Sequence, residues 1–170
     1  MNIKCVVVGR LETNCYILEK DGDIIIIDPG DDFDKIKSNI EGNVIGILLT
    51  HNHFDHIGAL EECKNYYNVS IYDYNNLEEG SVNIGKFNFL VKYNLGHTMD
   101  SISFIFGNNM FTGDFIFKGA IGRCDLGGDY YFMKDSIRVI LKCDKDYKIY
   151  PGHGEVTSLN KEREMLEFYS

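Results

Sequence analysis

No Cys-x-x-Cys pair occurs in the 170 residues, and the five cysteines (Cys5, Cys15, Cys63, Cys124 and Cys143) are odd in number. A disulfide framework is therefore disfavoured, and a reducing compartment is the simpler setting. The sequence has no apolar run near the ~18 residues that mark a membrane span. Residues 1–8 lack the length and the small-residue cleavage site of a signal peptide. A cytoplasmic protein is the expectation from these absences. Basic residues are the minority, with 17 Lys and Arg against 26 Asp and Glu and a net charge of −9. That weighs against a general nucleic-acid surface, which carries a basic patch, and against an electrostatic anchor on anionic lipid. A small-molecule partner is expected instead, anionic ones included, because a bound divalent metal can dominate the local charge.

What is present is an ordinary globular composition, 44% hydrophobic and 25% charged, in a chain long enough to bury a core without staples. No repeat, low-complexity segment or linker divides it, so a single domain over residues 1–170 is expected. Short β-branched runs at residues 4–8, 15–18 and 23–28 read as strands. Four isoleucines in succession, residues 24–27, fit a strand buried on both faces. Residues 31–40 read as a short helix, with Phe33, Ile36 and Ile40 at helical spacing. Further strands are expected at 44–49, 69–72, 87–92, 101–106, 109–111 and 148–150. Helices are expected at 56–67, 130–142 and 160–169.

Chemistry concentrates in the histidines. Three of the five lie in Thr50-His51-Asn52-His53-Phe54-Asp55-His56. Imidazole is the commonest protein metal ligand, and carboxylate is a good partner for zinc, iron or manganese. Residues two apart at a strand end point to the same side, so His51 and His53 can converge on one ion while Asp55 and His56 reach another. His97 follows a strand in Gly96-His97-Thr98, and His153 follows one in Pro151-Gly152-His153-Gly154. Thr112-Gly113-Asp114 repeats the design with a carboxylate. Loops at strand ends are where scaffolds present catalytic groups.

These segments resemble those of the metallo-β-lactamase superfamily and, more closely, its short glyoxalase-II-like branch of hydroxyacylglutathione hydrolase-like enzymes. The resemblance runs from about residue 15 to residue 154, and Asp28-Pro29-Gly30 looks like the family's strand-end turn supporting the site. It implies an α/β fold (α+β by some schemes), a four-layer αβ/βα sandwich of two mixed β-sheets flanked by helices. It implies two divalent metal ions, zinc first, with iron or manganese accommodated. His51, His53 and His97 would hold one ion, Asp55, His56 and His153 the other, and Asp114 would bridge them. The implied activity is hydrolysis of an acyl bond, in first place a thioester, by water activated at the dinuclear centre, with Asp55 also aligning the nucleophile.

Residues 117–126 resemble the family's Gly-Arg-x-Asp-Leu loop. Lys118 and Arg123 are candidate anchors for a substrate carboxylate; the competing reading pairs Arg123 with Asp125 or another nearby acid to fix the loop. Tyr130 and Tyr131 are candidates for the cleft or for packing. Two departures from the pattern stand out. Seventeen residues follow His153, whereas full-length relatives carry a C-terminal helical domain that contributes to glutathione binding. Asp100 also stands where many relatives have a glycine, and aspartate tolerates the positive φ such a turn would need. The rival readings are a mononuclear-iron persulfide dioxygenase, a β-lactamase and a metal-binding relative without turnover.

Overall fold

The computed structural model describes residues 1–170. The first half of the chain builds one mixed sheet from β1 (Asn2–Val8), β2 (Thr13–Lys20), β3 (Asp23–Ile27), β4 (Asn43–Leu48) and β5 (Ile71–Tyr72), in that order. The first three strands run antiparallel, and β3, β4 and β5 run parallel. The helices α1 (Phe33–Lys37), α2 (Phe54–Ile57) and α3 (Leu60–Tyr67) supply the crossovers.

The second half adds β6 (Gly80–Ile84), β7 (Phe87–Tyr93), β8 (Ile102–Phe106), β9 (Asn109–Gly113), a small hairpin of β10 (Ile116–Phe117) and β11 (Ala120–Ile121), then α4 (Tyr130–Leu141), β12 (Lys148–Pro151), β13 (Thr157–Ser158) and α5 (Leu159–Tyr169). Its main sheet has the order β13-β12-β9-β8-β7-β6, mixed because β12 and β9 are parallel.

The isoleucine run shows how the layers arise. Side chains alternate across a strand, so Ile25 and Ile27 enter the core between the sheets while Ile24 and Ile26 enter the core under the helices. The central core joins Leu18 and Leu48 to Phe89, Phe104 and Phe111 of the facing sheet. A third core packs Met110 and Ile149 against Met133 and Ile137 of α4 and Leu166 of α5. Two mixed sheets flanked by helices result, as expected.

The helix expected over 56–67 is instead two helices. Ala59 donates its N–H to the Pro29 carbonyl at 3.0 Å, which diverts it from the α-helical ladder. The turn after β3 presses against α2 so closely that a Cβ on Gly30 would lie 1.8 Å from the Asp55 carbonyl oxygen. This contact fixes α2 at the end of β3. Overpacking of this kind costs about 1–3 kcal/mol, so Gly30→Ala should lower the urea midpoint of unfolding and the metal content together. An unchanged midpoint with full metal loading would refute that reading. The helix expected over 31–40 is also shorter, because Asp32 takes a left-handed conformation (φ 51) just before α1.

Candidate metal centre

The strand ends bring the expected residues together. His51 follows β4, His53 precedes α2, and Asp55 and His56 lie within α2. His97 sits between β7 and β8, Asp114 follows β9, and His153 follows β12. Because β9 and β12 are parallel, with Gly113 opposite Pro151, Asp114 and His153 emerge at the same end. The sheets are joined there: Ile102 N–H donates to the Thr50 carbonyl, and Asn14 N–H to that of Gly152. Gly152 is required by close approach, since a Cβ would lie 2.2 Å from Asp114 Oδ1.

Each histidine is oriented by a partner on its outer nitrogen. His97 Nδ1 donates to the Arg123 carbonyl at 2.6 Å, His53 Nε2 to that of Leu126 at 3.0 Å, and His153 Nδ1 to that of Leu11 at 3.0 Å. His56 Nδ1 donates to Asp28 Oδ2 at 2.9 Å. The Thr50 hydroxyl gives its proton to Asp28 Oδ2 at 2.6 Å, so it accepts from His51 Nδ1 at 3.0 Å. With the outer nitrogens donating, every neutral ring turns a bare lone pair inward. His53 Nδ1 and His97 Nε2 face each other at 2.9 Å, an arrangement that repels unless a proton or a cation lies between them.

The carboxylates complete the set. Asp114 Oδ1 lies 3.3 Å from His56 Nε2, and its Oδ2 lies 3.4 Å from His97 Nε2 and 3.5 Å from His153 Nε2. Asp55 Oδ2 lies 3.2 Å from His153 Nε2 and accepts from the Thr13 hydroxyl at 2.9 Å. Three ligand groups form, His51/His53/His97, His51/His56/Asp114 and Asp55/His56/His153, with the atoms of each within 4.8 Å of one another. The donor set fits metal: His51 Nε2, His56 Nε2 and Asp114 Oδ1 are buried without any hydrogen-bond partner, and buried polar groups are otherwise nearly always satisfied.

Without metal, protons carry the compensating charge. Burial drives the His51 pKa well below its ordinary value, helped by the neighbouring imidazoles. Burial would lower His56 too, but the carboxylates of Asp114 and Asp28 beside it outweigh it and push the pKa up to about 10. Burial works against ionised Asp55 and Asp114, yet the histidines around them hold both below the usual carboxylate range. A metal held by His56 would therefore displace a proton from it. Apparent affinity should rise by about tenfold or more per pH unit between about pH 6 and 8, read by competition against a chromogenic chelator. A flat profile would contradict the assignment of His56.

Thr13 and the carbonyls of Leu11, Arg123 and Leu126 escaped sequence reasoning, because main-chain oxygens and a lone threonine carry no motif. Arg123 and Lys118 are both paired, Arg123 Nε with Asp125 at 2.6 Å and Lys118 with Glu155. Asp100 does not take a positive φ; it accepts from Asn52 Nδ2 instead. Tyr130 and Tyr131 are exposed and do not line the cavity over the centre. That cavity, ≈ 790 Å3, is bounded on its inner side by His53, Asp55, His97, Asp114 and His153. No helix is long and apolar enough to cross a membrane.

Comparison with known proteins identifies the family. Residues 8–77 match the family model described as the metallo-beta-lactamase superfamily. Hydroxyacylglutathione hydrolase GloC of Haemophilus influenzae is 30% identical, over 99% of this chain and 98% of its own. Among solved structures, BLEG-1 B3 metallo-beta-lactamase superposes with a TM-score of 0.90 at 28% identity, covering 99% of this chain and 100% of the other. TTHA1623 in a di-iron-bound form gives 0.85 at 29%, covering 94% and 96%. Similar across nearly its whole length to such a hydrolase, the chain belongs to the metallo-beta-lactamase superfamily.

Proposed function

We propose that this protein is a metal-dependent acyl hydrolase, in first place a thioesterase, working through a dinuclear centre. His51, His53 and His97 hold one divalent ion, Asp55, His56 and His153 the other, and Asp114 is shared between them. The reading rests on one observation: five inward imidazole nitrogens and two carboxylates converge with outer partners that fix every tautomer. Divalent ions in such a site activate water at neutral pH and polarise a carbonyl. The shared role of Asp114 is supported by its Oδ2, which is near His97 of one set and His153 of the other. The contacts of Asp55 to Thr13, His56 and His153 all fall on Oδ2, which leaves Oδ1 to orient the attacking water. A thiolate leaving group needs little protonation, and the mechanism requires no separate acid.

The relative named hydroxyacylglutathione hydrolase supports the thioester class. Elemental analysis of purified protein, paired with a panel of thioesters, esters, lactones and nitrocefin, tests the reading. Two ions per chain and chelator-sensitive thioester hydrolysis are expected. Metal-loaded protein inert toward every thioester would overturn it, and nitrocefin turnover alone would replace it with β-lactam hydrolysis.

A further inference from the structure

We infer that the cleft selects its thioester by an apolar group, a hydrocarbon acyl chain carried on a neutral thiol, through Leu11, Phe54 and Leu126. This inference rests on the hydrolase reading above. The cavity beside the centre is walled by Leu11, Phe54, Phe117, Ile121 and Leu126. Leu11, Phe54 and Leu126 leave 53%, 74% and 54% of their surface exposed, a set of large apolar side chains around one catalytic opening. Pockets that bind small molecules are lined in this way, with a few polar groups fixing orientation.

The apolar wall is tied to the centre through the backbone. Leu11 holds His153 with its carbonyl and lends its side chain to the cleft; Leu126 does the same beside His53. Phe54 lies between His53 and Asp55 on α2. The hairpin that carries Phe117 and Ile121 is anchored as well, because Gly119 N–H donates to Glu162 Oε2 at 2.8 Å. Glu162 is 5% exposed and also accepts from the Thr157 hydroxyl. The hairpin is thereby tied to α5.

Charge points the same way. Arg123, the one lysine or arginine in the cavity lining, is closed on Asp125 by two hydrogen bonds. Lys118 is closed on Glu155. Neither cation is free to receive an anionic substrate without giving up a carboxylate. Hydrolysis of the inferred substrate breaks the C–S bond and forms a C–O bond to the oxygen of water. One proton of that water ends on the departing sulfur, and the products are a carboxylic acid and a thiol.

The test is a kcat/KM series on the metal-loaded protein. Acetyl, butyryl, hexanoyl and octanoyl thioesters of one neutral thiol are compared with S-lactoylglutathione. A rise of at least about tenfold from acetyl to hexanoyl is expected, given the value of each buried methylene, with S-lactoylglutathione falling below hexanoyl. Phe54→Ser and Leu126→Ser should flatten the hexanoyl-to-acetyl ratio toward one. If a variant fails to fold or load metal, the unmutated series still decides. Thioester hydrolysis with no dependence on chain length, or with S-lactoylglutathione preferred, overturns the inference alone. Absence of any thioester hydrolysis overturns the hydrolase reading and this inference with it.

Discussion

Asp114→Ala is expected to lower bound metal from two ions per chain to one and to cut acyl hydrolysis by more than about 100-fold. Loss of a residue that merely supports a ligand costs about 10–100-fold in affinity or activity, and a shared ligand should exceed that range. The geometry explains why one side chain weighs so much. Asp114 Oδ2 is within 3.5 Å of His97 and His153, which belong to different ligand groups, and Oδ1 faces buried His56. Its removal takes away the carboxylate that lies 3.3 Å from buried His56 Nε2. Metal analysis by mass spectrometry and a thioester assay on the same preparation give both readouts. Two tightly held ions in the variant would show that Asp114 does not bridge.

Asp28→Asn should weaken metal binding by about 10–100-fold although Asp28 does not line the cavity. Asp28 is 2% exposed and accepts three hydrogen bonds: from Thr50 N–H at 2.8 Å, the Thr50 hydroxyl at 2.6 Å and His56 Nδ1 at 2.9 Å. An asparagine has one acceptor atom and one donor group. Whichever way the amide turns, an NH2 faces a donor. If it faces His56, the ring must move its proton to Nε2 and lose the lone pair turned toward the centre. Asp28→Ala removes the acceptors outright and strands the Thr50 N–H and hydroxyl, at about 1–3 kcal/mol for each unsatisfied group. A chelator competition that gave wild-type affinity for the asparagine variant would overturn this account of how His51 and His56 are held.

The centre was legible in the sequence because its chemistry is local. His51, His53, Asp55 and His56 fall within six residues, and the three remaining candidates each follow a strand and a glycine turn. What holds the centre was less legible. Thr13 reaches Asp55 across 42 positions, and Leu11 reaches His153 across 142; no spacing rule encodes either. The strand β6 was missed because Gly80, Ser81 and Asn83 dilute the β-branched signal, leaving only Val82 and Ile84 on the period of two. The hairpin of β10 and β11 has two residues per strand, too few for periodicity. The split between α2 and α3 was invisible because the helical pattern continues through it. It is imposed by the Pro29 carbonyl, a partner distant in sequence. Arg123 could be read two ways, and its pairing with Asp125 two residues on was one of them.

The ligand groups are drawn from both halves of the chain: His51, His53, Asp55 and His56 from the sheet built by residues 2–72, and His97, Asp114 and His153 from the one built by residues 80–158. Every candidate ligand group thus spans the seam between the two sheets. On the proposed assignment cation uptake would be linked to the closing of that seam, because an ion that favours the joined state stabilises it in proportion to the logarithm of its free concentration. Starvation for metal would therefore act on this protein twice, silencing the chemistry and loosening the rivet between its halves.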